Sequence, residues 1–200
     1  MDAKRHHQYV LQGYKNKYNG LSFEEIITNS CHHCIAREVA VIIKTPEPMR
    51  PIRDLGGGKF VAVYEKHAQP DYKGALIGGR AIMFEAKHTD TEELKQSAVT
   101  EPQTVSLNYH EKFGAECFVL ISFGFRQFFR VPWKVFKAMK EVYGRKYVRP
   151  ADLAQYRVRF DGMVLHFLEK EEREYANISK ATQKTGAGQS KRDNGGGTGL

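Results

Sequence analysis

Seven consecutive residues, Cys117-Phe-Val-Leu-Ile-Ser-Phe123, carry one hydroxyl among otherwise apolar side chains. A strand with one wet face alternates polar and apolar residues, so an unbroken run marks a strand buried on both faces. Segments able to cover it lie on either side. Ser22 opens a helix to about Ile35: Glu25, three residues on, completes a capping box, and Phe23, Ile26, Ile27, Cys31, Cys34 and Ile35 recur at helical spacing. Val39 to Lys44 is a β-branched run stopped by Pro46 and Pro48. Arg50 to Lys59 lacks periodicity, holds three glycines in a row and reads as a mobile basic excursion before a strand from Phe60 to Tyr64. A hairpin follows, Asp71 to Leu76 and Arg80 to Lys87 about Gly78-Gly79. Thr100 to Phe113 is predicted helical, Gln127 to Val131 a strand, and Pro132 to about Tyr143 a helix. Arg157 to Phe160 and Met163 to Phe167 form a last strand pair. The order predicts an α/β or α+β domain around one mixed sheet.

Both ends read differently. Residues 1–19 are polar and basic, an N-terminal arm, and the stretch from Ala176 is polar and glycine-rich, a disordered tail. No apolar run approaches the roughly 20 residues of a membrane span, and none follows Met1 as a signal peptide would. Three cysteines in 200 residues argue against a disulfide framework and for a reducing, cytoplasmic setting. With 31 basic against 23 acidic side chains, the net charge of +8 favours a polyanionic partner.

The chemistry concentrates in Pro70-Asp71, thirteen residues, then Glu85-Ala86-Lys87. On a strand, Glu85 and Lys87 project from one face. Whether Asp71 joins them depends on the turn. A two-residue Gly78-Gly79 turn sets Asp71 opposite Ala86, on the wrong face; a three-residue loop, Ile77-Gly78-Gly79, sets it opposite Glu85. The odd-length loop is the expectation. Two carboxylates at one point suit Mg²⁺ or Mn²⁺, and an adjacent lysine suits phosphodiester hydrolysis.

This pattern resembles the PD-(D/E)xK nuclease superfamily. Its flanks sharpen the likeness: Gly20-Leu-Ser-Phe-Glu24-Glu-Ile-Ile27, Ala40-Val-Ile-Ile-Lys44 before Pro46 and Pro48, Asp71-Tyr-Lys-Gly74, Phe84-Glu-Ala-Lys87, Gln103-xxx-Leu107 and Cys117-Phe-Val-Leu-Ile-Ser122. In that order they resemble the RecU-type Holliday-junction resolvases of Gram-positive bacteria and their phages, over about Gly20 to Phe167. The resemblance implies a restriction-endonuclease-like α/β core, a mixed β-sheet flanked by helices, in a nuclease domain at 20–175. It also implies a protruding stalk between strands at about 50–69. It implies a Mg²⁺- or Mn²⁺-dependent homodimer, each site cutting one strand of a four-way junction during recombination and repair, alongside recombinase or branch-migration partners. The metal carboxylates then fall on Asp71 and Glu85, the lysine on Lys87, the helical glutamate on Glu24 and the glutamine after the motif on Gln103. Gln69-Pro70 stands where the family usually has Ser or Thr before the aspartate, so a hydroxyl role there lacks its residue.

Plainer readings stand beside these. Asp71, Glu85 and Lys87 can be a surface ion-pair group, and Thr100-Glu-Pro-Gln103 is itself a capping box. Glu24 is preferred to Glu25, which already caps the first helix. Cys31-His32-His33-Cys34 lacks the second ligand pair of a zinc site and reads as two buried thiols and two exposed imidazoles. Arg50, Arg53, Lys59, Lys66 and Lys73 are the candidate DNA-phosphate contacts, each equally readable as solvated surface, with Arg126 and Arg130 weaker. Two alternatives to a resolvase remain: a related nuclease with another DNA substrate, and a non-catalytic DNA-binding accessory protein.

Overall fold

The computed structural model describes residues 22–64, 69–173 and 175. The expected arm, the expected tail and Lys66 lie outside the described residues. The chain falls into two units, Met1–His166 and Phe167–Leu200. In the second, 169–173 is helical and Arg173 pairs with Glu169 at 2.9 Å.

The first unit opens with α1 (Phe23–Ala36), whose Ser22 hydroxyl accepts from the Glu25 amide while the Glu25 carboxylate accepts from the Ser22 amide. Its buried stripe is Phe23, Ile26, Ile27, Cys31 and Cys34; Ile35, expected to extend it, is exposed. Next come β1 (Ala40–Lys44), β2 (Met49–Gly56), β3 (Lys59–Tyr64), β4 (Tyr72–Leu76) and β5 (Ala81–Thr89). Short β6 (Leu94–Lys95), a 3-10 turn and α2 (Glu101–Lys112) lead to β7 (Glu116–Phe123) and β8 (Gln127–Pro132). After α3 (Trp133–Phe136) and α4 (Met139–Tyr143) come β9 (Tyr147–Val148), a 3-10 helix Pro150–Tyr156 and β10 (Arg157–Val158). Six strands form one sheet in the order β1-β4-β5-β7-β8-β10, antiparallel except for β5 and β7, which run parallel across the α2 connection. The fold is therefore α/β, with a mixed sheet flanked by helices.

As its sequence requires, β7 is buried on both faces. Cys117, Val119, Ile121 and Phe123 join Leu107, Trp133 and Phe136 on one side. On the other, Tyr72, Phe84 and Phe118 stack across β4, β5 and β7 at 4.8 and 4.6 Å between ring centroids. The Arg130 guanidinium caps that stack 4.6 Å from the Phe118 ring and donates to Glu116. The Arg130 guanidinium is thus mostly covered and engaged by Phe118 and Glu116.

Three expectations need correction. Arg50 to Lys59 is not an aperiodic loop: β2 and β3 form their own antiparallel ribbon, exposed along nearly its whole length. Register shifts at Pro51/Arg53 and Asp54/Gly56 break the two-residue period, so alternation is invisible in the sequence. The pairing puts Arg50, Arg53, Lys59, Val61 and Val63 on one face, and Met49, Pro51, Phe60, Ala62 and Tyr64 on the other. The helix expected after Pro132 is two short ones, because Ala138 adopts φ −98°, ψ 25° and interrupts the ladder. The last strand pair shrinks to β10 and a single bridge, Phe160 to Leu165. Asp161 folds the loop tightly by accepting from the Met163 and Val164 amides, and the Leu165 amide turns instead to Ser30 Oγ on α1.

At Gly74, β1 and β4 leave no room for a side chain: a Cβ there would lie 1.9 Å from the Val41 carbonyl oxygen. Gly74→Ala is expected to destabilise the protein by roughly 3 kcal/mol, read from the urea midpoint, since backbone rather than a flexible side chain must give way.

Candidate active site

The β4–β5 turn settles the geometry. Pairing runs Tyr72 to Phe84, Lys73 to Met83, Gly74 to Ile82 and Ala75 to Ala81. Leu76 N–H donates to Arg80 O, leaving Ile77, Gly78 and Gly79 as a three-residue loop, with both glycines at positive φ. This is the odd-length loop the sequence called for, and it brings Asp71 level with Glu85. Asp71 is held from both sides: its carbonyl accepts from Thr45 N–H at 2.8 Å, and its Oδ2 from Ala86 N–H at 3.0 Å, just beyond the last paired residues.

Glu85 is fully buried beneath α2 and lies beside Val119 of β7. Gln103, in the first turn of α2, donates from Nε2 to Glu85 Oε2. Lys87 Nζ lies 3.2 Å from Glu85 Oε2, 3.9 Å from Asp71 Oδ2 and 3.4 Å from Gln103 Oε1. Gln103 Oε1 also accepts from the Thr100 amide at 3.1 Å and from its hydroxyl at 3.2 Å. Gln103 therefore caps α2 and hydrogen-bonds both Glu85 and Lys87 at once.

The second oxygen of Glu85, Oε1, is buried without a hydrogen-bond partner. Burial first, then the Asp71 charge, pushes the Glu85 carboxyl far above the usual carboxylate range, while Lys87 acts in the opposite direction. A buried carboxyl with a spare oxygen beside a second carboxylate is a donor set that fits a hard divalent cation. Among the described residues no group of three or more His, Cys, Asp or Glu side chains gathers to hold a metal.

Other candidates lie elsewhere. Glu24 is exposed and paired with Lys44, not hydrogen-bonded to the Asp71–Glu85–Lys87 group; burial first, then the Glu24 charge, raises the Tyr72 phenol. Lys73 donates to Gln69 at 3.1 Å. Arg50, Arg53 and Lys59 share the basic face of the β2–β3 ribbon, and Arg126 is exposed. Cys31 and Cys34 are buried in α1, where burial pushes the Cys31 thiol up to about 12, as expected of core cysteines. His33 instead packs edge-on to His166, 5.4 Å between centroids. The Thr100–Gln103 capping box expected from the sequence is present, and the Thr100 hydroxyl also donates to Gln103 Oε1.

Comparison with family models finds residues 18–172 matching the family described as Recombination protein U. The chain is thus an endonuclease of the Holliday-junction-resolving class. It belongs to the RecU family. Comparison with curated proteins finds no match. Among solved structures, it is similar to Hjc, a Holliday junction resolvase from the archaeal hyperthermophile Archaeoglobus fulgidus. The two share 12% identity and a TM-score of 0.42, over 65% of this chain and 90% of that one. No described helix is long and apolar enough to cross a membrane.

A raised carboxyl pKa in the folded state makes that state hold its proton more tightly. The stability Glu85 contributes is thus complete below its unfolded value and lost as pH rises towards the folded one. Without divalent ions, the melting temperature is expected to fall between pH 5 and pH 8. Mg²⁺ should restore it more at pH 8 than at pH 5, and Glu85→Gln should flatten both dependences, read by calorimetry. A Mg²⁺ effect that survives Glu85→Gln at full size would place the ion elsewhere.

Proposed function

We propose that Asp71 and Glu85 together hold a divalent cation, Mg²⁺ or Mn²⁺, and that this site cuts one strand of a four-way DNA junction. The β4–β5 register carries this reading: it alone puts the two carboxylates and Lys87 within reach of one point. The bound ion would polarise a phosphate oxygen and lower the pKa of its water. Lys87 offers its ammonium to the same point, where it orients the attacking water and offsets charge gathering on the phosphorane. Gln103 fixes Glu85 and Lys87 simultaneously, so neither needs to reorganise during the reaction. Glu24 assists from α1 through its charge and its hold on Lys44.

The β2–β3 ribbon acts as the stalk. Arg50, Arg53 and Lys59 on its one face, together with Lys66 and Lys73, supply sequence-independent phosphate contacts that set the junction's position. A four-way junction presents equivalent strands about a two-fold axis, and paired cuts need two sites. A homodimer supplies both.

Incubation with a synthetic four-way junction and a matched linear duplex, with and without Mg²⁺, tests the assignment. Wild type is expected to make symmetric paired nicks in the junction only when Mg²⁺ is present. Glu85→Gln should lose roughly a thousandfold in single-turnover rate and Lys87→Met about a hundredfold, both binding the junction as wild type does. Undiminished cleavage by Glu85→Gln would remove the carboxylate from the chemistry. Deleting 50–59 should abolish junction preference while sparing the nuclease fold; junction cutting that outlasts linear-duplex cutting would refute the stalk assignment.

A further inference from the structure

Three lysines from three separate segments line one pocket of about 550 Å³: Lys95 from β6, Lys137 after α3 and Lys146 before β9. Pairing of Lys95 with Tyr147, and a 2.9 Å bond from Gln96 N–H to Lys146 O, bring the first and third segments together. Lys137 is compensated, since its ammonium pairs with Glu111 and also donates to Asn108. Lys95 and Lys146 have no side-chain hydrogen bond or ion pair among the described residues. One carboxylate, Glu101, shares the lining. Lys95 and Lys146 are exposed, and two uncompensated lysines at one pocket give it a positive potential that suits an anion.

The pocket touches the nuclease site through one helix turn. Thr100 and Thr104 of the α2 start line it, while Gln103 between them reaches Glu85 and Lys87. The Thr100 hydroxyl donates to Gln103 Oε1, so the pocket wall and the reacting point share one hydrogen-bond network.

We propose that this pocket is a phosphate subsite for the DNA strand being cut. Lys95 and Lys146 grip a backbone phosphate beside the one placed at Asp71, Glu85 and Lys87. The subsite rests on the nuclease assignment and deepens it. It fixes the register of the strand against the cation site, because ions that clamp a neighbouring phosphate hold the scissile one in line. Trp133, the chain's single tryptophan, also lines the pocket and reports its occupancy by fluorescence.

The test uses the full-length protein and a synthetic junction. Binding is titrated against salt in EDTA, comparing wild type, Lys95→Ala/Lys146→Ala and a control, Lys134→Ala/Lys140→Ala. The control removes two exposed lysines that lie outside the pocket. The pocket variant is expected to bind about tenfold more weakly at 0.15 M salt. Its slope of log affinity against log salt should flatten by about 1.8, with the control changing less than about twofold. Junction should perturb Trp133 fluorescence in wild type and not in the pocket variant. An unchanged slope in the pocket variant, or equal losses in both variants, overturns the proposal, the latter by tracing the effect to diffuse charge. A Trp133 response to inorganic phosphate alone, with an unchanged DNA slope, assigns the pocket to a free anion and also overturns it. Failure of wild type to nick the junction in Mg²⁺ would instead count against the Asp71–Glu85 assignment, because the salt titration contains no divalent ion and reads the subsite by itself.

Discussion

The site depends on the length of one turn. Side chains alternate along a strand, so a hairpin loop shorter by one residue would send Asp71 to the opposite face of the sheet from Glu85. Gly78 and Gly79 prevent that by adopting positive φ, which closes Ile77-Gly78-Gly79 into an odd-length loop. Everything downstream follows from that register. Asp71 can accept from Ala86 N–H, Lys87 can lie between two carboxylates, and α2 can lower Gln103 onto both. Gly74 belongs to the same constraint, since it lets β1 close against β4 and pin the Asp71 backbone through Thr45.

Burying Glu85 completely is costly for a carboxylate, and the fold offsets only part of that cost. One oxygen receives Gln103 and Lys87; the other receives nothing. The Tyr72 and Tyr143 hydroxyls are likewise buried without a hydrogen-bond partner, whereas other buried groups are matched. Buried Ser30 donates to Ile26 O and accepts from Leu165 N–H, and Trp133 Nε1 is matched to Asn108. What sets Glu85 apart is its setting, a spare buried oxygen in a carboxyl group that stands beside Asp71 and Lys87.

Much of this was legible in the sequence, wherever a local signal existed. The apolar run of β7 required a sheet covered on both sides, the Ser22–Glu25 box fixed the start of α1, and two glycines decided the turn beside Asp71. The β2–β3 ribbon was not legible, because two bulges destroy the alternation by which strands are recognised. Nor was the break at Ala138, where burying Trp133, Phe136 and Met139 together outweighs the propensity for one continuous helix. Gln103 looked like a choice between cap and site because spacing cannot reveal that one amide has two functional ends. Glu24 was placed at the edge of the buried stripe, yet partnering Lys44 depends on where β1 ends, which α1 does not encode. Lys95, Lys137 and Lys146 come from three segments, and only tertiary pairing makes them neighbours.

The exposed β2–β3 ribbon has a consequence for how the protein moves. A two-stranded ribbon without a layer behind it is marginally stable in water, so its amide hydrogens exchange through local opening that leaves the six-stranded sheet intact. Such an element has a conformational entropy to lose, and it loses it when a surface is available for both strands to lie against. A branched substrate engaging both of its faces would recover that loss, whereas a smooth duplex engaging one face would recover less. In the stalk role proposed for it, the softness of the ribbon would be a source of discrimination, acting before any bond is cut.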